Sequence, residues 1–509
     1  MGSFGRPLAP TDGPVAVAAA VTSVPAAPRT SLLGSAGALL AAKVVFVAAG
    51  YAIYVGLSRL LVPAQFGTFL VVNSSVGVLN AIFISGTIQT VSRFVAQAPG
   101  QAGGTLRTAL WLHVLLAGSL AALYFLAAPL IASALNDAQL APYLRVSTLI
   151  PLSYAFYAAM IGYANGTRRF DQQAGFDMSF SMTKLTLVVG LAWLGYGAFG
   201  AVAGFAAASV LILFASWYVI GRPALHASGD SAATRSAIAR YEFAVMAHVG
   251  LTNLLMQLDL LMVKALAVGQ DASVAAAVYG SAAKLAQIPF SLLVALNFLV
   301  FPYIARSTAQ APRHETARYI RHALRLGAAL IAGPTIVLAV LSSEMVRLVF
   351  GSGYAAAAPV LVILVYGYVA FSLLTMAATV INGAGRPVVS LLITGATVVV
   401  QAGLARVLIP SAGTVGAAMA SSGAYLAGFL AALAYLVVRF GDVIPWASFA
   451  RIGAATLVVI AAARSPLGGI PVVAGAPILG VAYLLTLVLL REWTVTDLKA
   501  AMGHSPNAA

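Results

Sequence analysis

The sequence predicts an all-α polytopic membrane protein of about fourteen transmembrane helices. Of its 509 residues, 61% are hydrophobic and only 8% are charged, whereas soluble domains carry about 25% charged and about 45–50% apolar residues. The mean hydropathy is +0.97. The basic residues fall in short breaks between apolar runs of about 20 residues, the length that crosses a bilayer. These three observations exclude an ordinary cytosolic enzyme. With no cysteine, disulfide staples, zinc fingers and thiol catalysis are excluded as well. The net charge of +15 does not indicate a nucleic-acid partner, because the basic residues are spread over the breaks rather than gathered on one face.

Residues 1–33 are rich in Pro, Ala, Ser and Thr and are expected to form a disordered cytoplasmic tail. The run Val15–Val24 has the length of a signal-peptide core, and Ser23-Val24-Pro25-Ala26 resembles a cleavage site. With only Arg6 before that run, the tail is read as retained. Apolar segments follow near 35–60, 67–95, 107–134, 140–165, 175–195, 198–220 and 241–267. The remaining seven lie near 273–304, 320–343, 355–382, 388–409, 412–438, 446–463 and 470–490. An even number of crossings puts both termini on one side. If that side is the cytoplasm, its breaks and tails hold 19 basic residues, against five or six on the other, depending on Lys264. The positive-inside rule therefore predicts cytoplasmic termini.

The chain repeats itself. Tyr163-Ala164-Asn165-Gly166-Thr167-Arg168-Arg169 parallels Val380-Ile381-Asn382-Gly383-Ala384-Gly385-Arg386, displaced by 217 residues. Gly200-Ala201-Val202-Ala203 and Gly416-Ala417-Ala418-Met419 continue the pairing, as do Arg222 and Arg439. The expected organisation is an N-lobe of six helices at 34–220, a cytoplasmic linker at 221–240 and a C-lobe of six at 241–440. Two further helices at 441–492 and a cytoplasmic tail at 493–509 complete it. Repeated membrane segments are the mark of secondary transporters that rock one half against the other.

The stretch Gly56-Leu57-Ser58-Arg59-Leu60-Leu61-Val62-Pro63-Ala64-Gln65-Phe66-Gly67-Thr68-Phe69 resembles the first-loop signature of a known family. That family is the polysaccharide-transporter (oligosaccharide flippase) branch of the multidrug/oligosaccharidyl-lipid/polysaccharide exporter superfamily. Leu258-Asp259-Leu260-Leu261-Met262-Val263-Lys264 with Val278-Tyr279-Gly280 is similar too, as are Phe301-Pro302-Tyr303-Ile304-Ala305-Arg306 and Phe350-Gly351-Ser352-Gly353-Tyr354. The resemblance covers nearly the whole chain after the tail, although Gly269–Ala277 is longer than the family's usual loop. It implies two MATE-like lobes in a V and transport of undecaprenyl-pyrophosphate-linked sugars.

The lysines point to a site without the family. The chain has five, and four of them, Lys43, Lys184, Lys264 and Lys284, fall inside apolar segments, while arginine supplies the loops. A lysine at the bilayer centre costs about 2.5–3.5 kcal/mol on insertion scales. Two roles fit such placement: a cationic cavity for an anionic cargo group, or snorkelling to the interface. Depth favours the cavity for Lys43 and Lys184, leaves Lys284 open and favours snorkelling for Lys264. Lys43, Val47, Gly50 and Tyr54 share one helical face; so do Asn73, Gly77, Asn80 and Thr87, and so do Asp177, Ser181 and Lys184. The substrate-binding candidates are therefore Lys43, Lys184, Lys284, Tyr54 and Asn80.

Asp259 is the one deep acid, on a face with His248 and Thr252. Two roles fit it: carrying a coupling proton or sodium together with His248, or pairing with one of the lysines. Glu242 and Glu344 are expected near the interfaces, in water. There is no phosphate-binding Gly-rich loop and no His-Glu-x-x-His, and the six histidines are scattered, so neither a catalytic residue, a cofactor nor a metal is expected.

The expected function is a flippase for an undecaprenyl-pyrophosphate-linked oligosaccharide (a lipopolysaccharide O-antigen, exopolysaccharide or capsule repeat unit) in the cytoplasmic, inner membrane. Its partners are the lipid-linked substrate, membrane lipids and polysaccharide polymerase or export machinery, with no nucleic acid. Two alternatives stand beside it. A multidrug/ion antiporter of the same fold is disfavoured because cationic drugs meet cationic lysines. A membrane-embedded polysaccharide polymerase or glycosyltransferase is disfavoured because the outer breaks are short and hold few acids, chiefly Asp137, Asp271 and Glu344.

Overall fold

A computed structural model describes residues 32–226, 231, 235–268, 271–310, 312–464 and 472–492, with side chains at 42–293 and from 312 onward within those ranges. The predicted tails at 1–33 and 493–509, apart from Leu32 and Leu33, which begin the first helix, and most of the linker centre lie outside the described residues. Every long element is helical, since a backbone in lipid has no water to bond and satisfies itself only within a helix or a closed barrel. The first group is α1 (Leu32–Leu60), α2 (Pro63–Gln97), α3 (Ala102–Ala134), α4 (Leu140–Ser147), α5 (Leu149–Gly166), α6 (Phe170–Leu191), α7 (Gly197–Ser216) and the short α8 (Arg222–His226). The second is α9 (Arg235–Leu266), α10 (Ala272–Gln310), α11 (Arg313–Val340), α12 (Ser342–Val349), α13 (Ala357–Gly383) and α14 (Pro387–Phe440). A last pair, α15 (Trp446–Ala463) and α16 (Val472–Leu489), packs against α11.

Eleven segments among the described residues are long and apolar enough to cross a membrane. Two of these are double rods, 170–226 bending at Gly195 and Gly197 and 387–440 bending at Gly413. Counting each as two and adding the 39-residue α10 brings the total to fourteen, in line with the apolar periods. The outer surface carries residues such as Leu126, Leu130 and Val438, between 72% and 88% exposed. Such a surface suits lipid and not water.

The internal repeat is visible in the backbone. Gly197 (φ 58°, ψ −144°) and Gly413 (φ 57°, ψ −134°) turn their hairpins in the same way, 216 residues apart. Arg168 (φ 63°) and Gly385 (φ 76°), 217 residues apart, hold equivalent left-handed positions. The φ/ψ pair at Gly413 is closed to residues with a Cβ. Gly413→Ala is therefore expected to lower stability by about 1–3 kcal/mol, seen as an earlier thermal unfolding midpoint in detergent.

Helix α2 joins the two groups. It packs on α5 of its own group and lies against α9 and α10 of the other. Small residues permit that approach: Gly67 sits against the Ser273 carbonyl, Gly86 against Met246, and Gly250 against Ile82. At one end of the seam two of the sequence motifs meet. The Phe66 ring lies 5.7 Å from Tyr354 and 6.3 Å from Phe350. Beside them, the Arg59 guanidinium donates to the Leu348 carbonyl at 2.8 Å. The first-loop signature and the Phe350–Tyr354 motif thus latch one group of helices to the other.

Candidate functional site

A cavity of about 270 Å³ opens between α1, α6 and α10, so both groups of helices build its wall. Lys184 from α6 and Lys284 from α10 line it, with Tyr51 and Tyr54 from α1, Ser181 from α6 and Gln287 from α10. No acid lines it among the described residues. Each ammonium is held by an aromatic face: Lys184 Nζ lies 3.6 Å from the Phe205 ring centre and Lys284 Nζ 5.3 Å from that of Tyr54. Tyr51 donates its hydroxyl to the Lys284 carbonyl at 3.0 Å, tying α1 to α10. Two like charges without a carboxylate repel each other, and a bound anion relieves that repulsion.

The other candidates fall in different places. Lys43 stands at the rim rather than deep inside: its side chain is 61% exposed and its Nζ lies 3.5 Å from the Asp177 carboxylate. The cause is the pairing of α1 with α6, which sets Asp177 opposite it. Asn80 does not line the cavity. It lies on α2, which packs chiefly on α5, α9 and α10, and its buried Oδ1 has no hydrogen-bond partner among the described residues.

Asp259 is buried and pairs with no lysine among the described residues. Its carboxylate accepts the Tyr279 hydroxyl at 2.7 Å and the Leu260 N–H at 2.7 Å. Tyr279 in turn lies 3.4 Å from the Ser421 hydroxyl, which accepts from Gln401 Nε2 at 3.1 Å. His248 is not part of this group. It is eleven residues away on α9, about 16 Å along the axis, in a small cavity with Thr252, Thr375, Thr379 and Thr394.

Two acid–base placements differ from the sequence expectation. Lys264 does not snorkel; it is 4% exposed and pairs with Asp137 at 2.8 Å and with the Ser273 hydroxyl at 2.6 Å. A carboxylate within reach removes the reason for the ammonium to seek water. Glu242 is not in water either. It is 2% exposed, accepts from Thr87 at 2.9 Å and lies 3.3 Å from His113 Nε2. The three residues come from α2, α3 and α9, so they fasten the seam at the end opposite the Phe66 latch. Its partner His113 is 129 positions away, and nothing in the local pattern announces it.

Comparison with known proteins adds the following. Residues 56–359 match the family model described as "Polysaccharide biosynthesis protein". No curated protein matches the chain. Among solved structures, the lipid II flippase MurJ in an inward closed conformation is similar at a TM-score of 0.71 and 14% identity, over 90% of this chain and 98% of that one. An inward-facing multidrug resistance MATE transporter of the MOP superfamily is similar at 0.60 and 19%, over 80% and 94%. A MOP superfamily transporter from Pyrococcus furiosus, titled for the reverse polarity of its binding pocket, is similar at 0.58 and 18%, over 83% and 96%. At these identities the likeness establishes the fold.

Proposed function

The chain belongs to the polysaccharide biosynthesis protein family, and from that membership we propose that it is a flippase for a pyrophosphate-linked glycolipid of the undecaprenyl class. The observation that carries the proposal is the acid-free cavity with one lysine from each group of helices. A diphosphate bridging Lys184 and Lys284 ties the two groups together, so binding and the relative motion of the lobes are coupled. The aromatic and hydroxyl lining of Tyr51, Tyr54 and Ser181 suits sugar stacking and hydrogen bonding. A cationic drug meets two like charges in the same place, which disfavours the antiporter reading.

The test uses purified protein in liposomes with a fluorescent pyrophosphate-linked glycolipid, and measures protection of the sugar from an external lectin. Protein-dependent movement is expected. Export of a cationic dye without movement of the glycolipid would overturn the proposal.

Asp259 is the acid proposed to carry the coupling ion. Within its polar group Gln401 Oε1 is buried and has no hydrogen-bond partner among the described residues, and an acceptor left so in a chain of bonds that ends on a carboxylate is what a cation satisfies. Asp259→Asn keeps an oxygen for Tyr279 but removes the charge. It is expected to abolish stimulation by a proton or sodium gradient while exchange down a cargo gradient persists. Loss of both activities, or of neither, refutes the coupling role.

We also place the protein in the cytoplasmic membrane with both termini inside. In this cysteine-free chain, Ser231→Cys is expected to resist an impermeant thiol reagent added to intact cells and to react after permeabilisation. Labelling in intact cells reverses the orientation.

A further inference from the structure

A second cationic pocket lies at the far side of the C-terminal group, apart from the cavity described above. It measures about 320 Å³ and is built by α11, the α14–α15 connection and the first turn of α15. On α11, Arg318, Arg321, His322 and Arg325 follow the i, i+3, i+4, i+7 spacing that gathers them on one face. Arg321 is paired with Asp442. Arg325 is paired with Glu492 at 2.6 Å, whose other oxygen takes Arg451 at 3.1 Å. Arg318 has no carboxylate partner among the described residues and lies by the Tyr319 ring. The cluster therefore keeps an excess of positive charge.

An independent feature converges on the same space. Helix α15 begins at Trp446 without a side-chain cap, so its first turn presents free N–H groups and the positive end of its dipole. Ser448 in that turn lines the pocket at 7% exposure, and its hydroxyl makes no hydrogen bond among the described residues. Arginines, an uncapped helix start and the unpartnered hydroxyl of a residue more than nine-tenths buried are together the donor set for a phosphate.

The surroundings say what carries that phosphate. Trp446 is 69% exposed and Tyr319 43% exposed, the aromatic belt of a membrane boundary. Along the same stripe of α11, at Arg325, Ala329 and Gly333, the wall turns apolar. There a cavity of about 330 Å³ lies between α10, α11 and α16, lined by residues such as Leu330, Val337 and Leu484. Arg325 and Ala329 are about 6 Å apart along the helix, so the apolar wall begins one turn beyond the last arginine.

We propose that this pocket binds the phosphate of an anionic membrane phospholipid, whose chains run along α11 toward the apolar cavity that begins at Ala329. Basic pockets between membrane helices are suited to such headgroups. A bound lipid would fasten the last two helices to α11, and through it to the C-terminal group.

The test takes the full-length protein in neutral detergent and titrates phosphatidylglycerol, phosphatidylcholine, inorganic phosphate and a polyprenyl pyrophosphate. Thermal unfolding midpoints and native mass spectrometry read the binding. Phosphatidylglycerol is expected to be retained and to raise the midpoint, and phosphatidylcholine is not. The variant with Arg318→Gln and Ser448→Asp is expected to need at least about tenfold more phosphatidylglycerol, since a charge-assisted contact is lost. Its new carboxylate lies in the first turn of α15, where it favours the positive end of the helix dipole and so preserves the helix. Asp442→Asn releases Arg321 and is expected to lower the half-saturating concentration, a change of opposite sign that a folding defect does not produce. Equal responses of the wild type and both variants, or equal responses to the two phospholipids, overturn the proposal. Inorganic phosphate or the polyprenyl pyrophosphate acting at the same or lower concentration overturns the phospholipid as the occupant.

Discussion

Replacing both Lys184 and Lys284 by alanine is expected to slow glycolipid translocation roughly a hundredfold or more, because each lysine supplies a charge-assisted contact of about 1.5–3 kcal/mol. Single changes should cost about ten- to a hundredfold each by the same reckoning. The accompanying stability change separates a binding role from a structural one. The two ammonium groups share a cavity lined by no acid among the described residues, so their removal relieves like-charge repulsion and breaks no salt bridge there. The double variant is therefore expected to reach the membrane in at least wild-type amounts with an unchanged or higher unfolding midpoint. Lys→Arg at either site should retain part of the activity, since charge persists while the contact to Phe205 or Tyr54 changes shape. Lys43→Ala should have the smallest effect of the three, its ammonium standing in water at the rim and outside the cavity lining. Complementation of a flippase-deficient strain, normalised to membrane abundance, provides the measurement. Wild-type export by the double variant would refute the cationic cavity as the cargo site.

Glu242→Ala is expected to be the most destabilising single substitution at the helix seam. It removes the carboxylate that Thr87 donates to and leaves a void beside Thr87 and His113, both fully buried, which keep each other at 2.7 Å. Losing a buried hydrogen-bonded group of this kind costs about 1–3 kcal/mol. The cost falls on the conformation in which α2, α3 and α9 touch, so the seam is expected to open there before the protein unfolds as a whole. Met246→Cys reports it: Met246 is 6% exposed and packs against Gly86 in that seam. Its reaction with a maleimide should be slow with Glu242 in place. Combined with Glu242→Ala it should be at least about tenfold faster, a tenfold change corresponding to about 1.4 kcal/mol. Glu242→Gln should fall between, because it keeps an acceptor for Thr87 but not the charge. Unchanged labelling with an unchanged midpoint would show that the cluster does not hold the seam.

The two ends of the seam explain why the sequence motifs read as they do. Phe66 in the first-loop signature and Phe350 and Tyr354 in the later motif are nearly 300 positions apart, yet their rings meet in the latch. Each motif is a short string whose meaning is a contact with the other. The repeat was legible for a related reason. Glycines are the only residues that adopt the turn conformation at Gly197 and Gly413, so the same letters recur wherever the same turn is made.

The sequence by itself determined what depends on composition, period and residue scarcity. Apolar runs of bilayer length required helices, a repeat displaced by 217 residues pointed to two related halves, and the rarity of lysine singled out Lys43, Lys184, Lys264 and Lys284. Each of these is a local property, because insertion energy, backbone conformation and helical phase act within one segment. Only the tertiary structure decided which charges have partners. Lys43 and Lys184 look alike along the chain, but α6 brings an acid to the first and none to the second. Lys264 and Glu242 read as interface residues until Asp137 and His113, each more than 100 positions away, closed around them. A charge in a low-dielectric interior is governed by groups within a few ångströms in space, and proximity in space is what helix packing, and not sequence order, supplies.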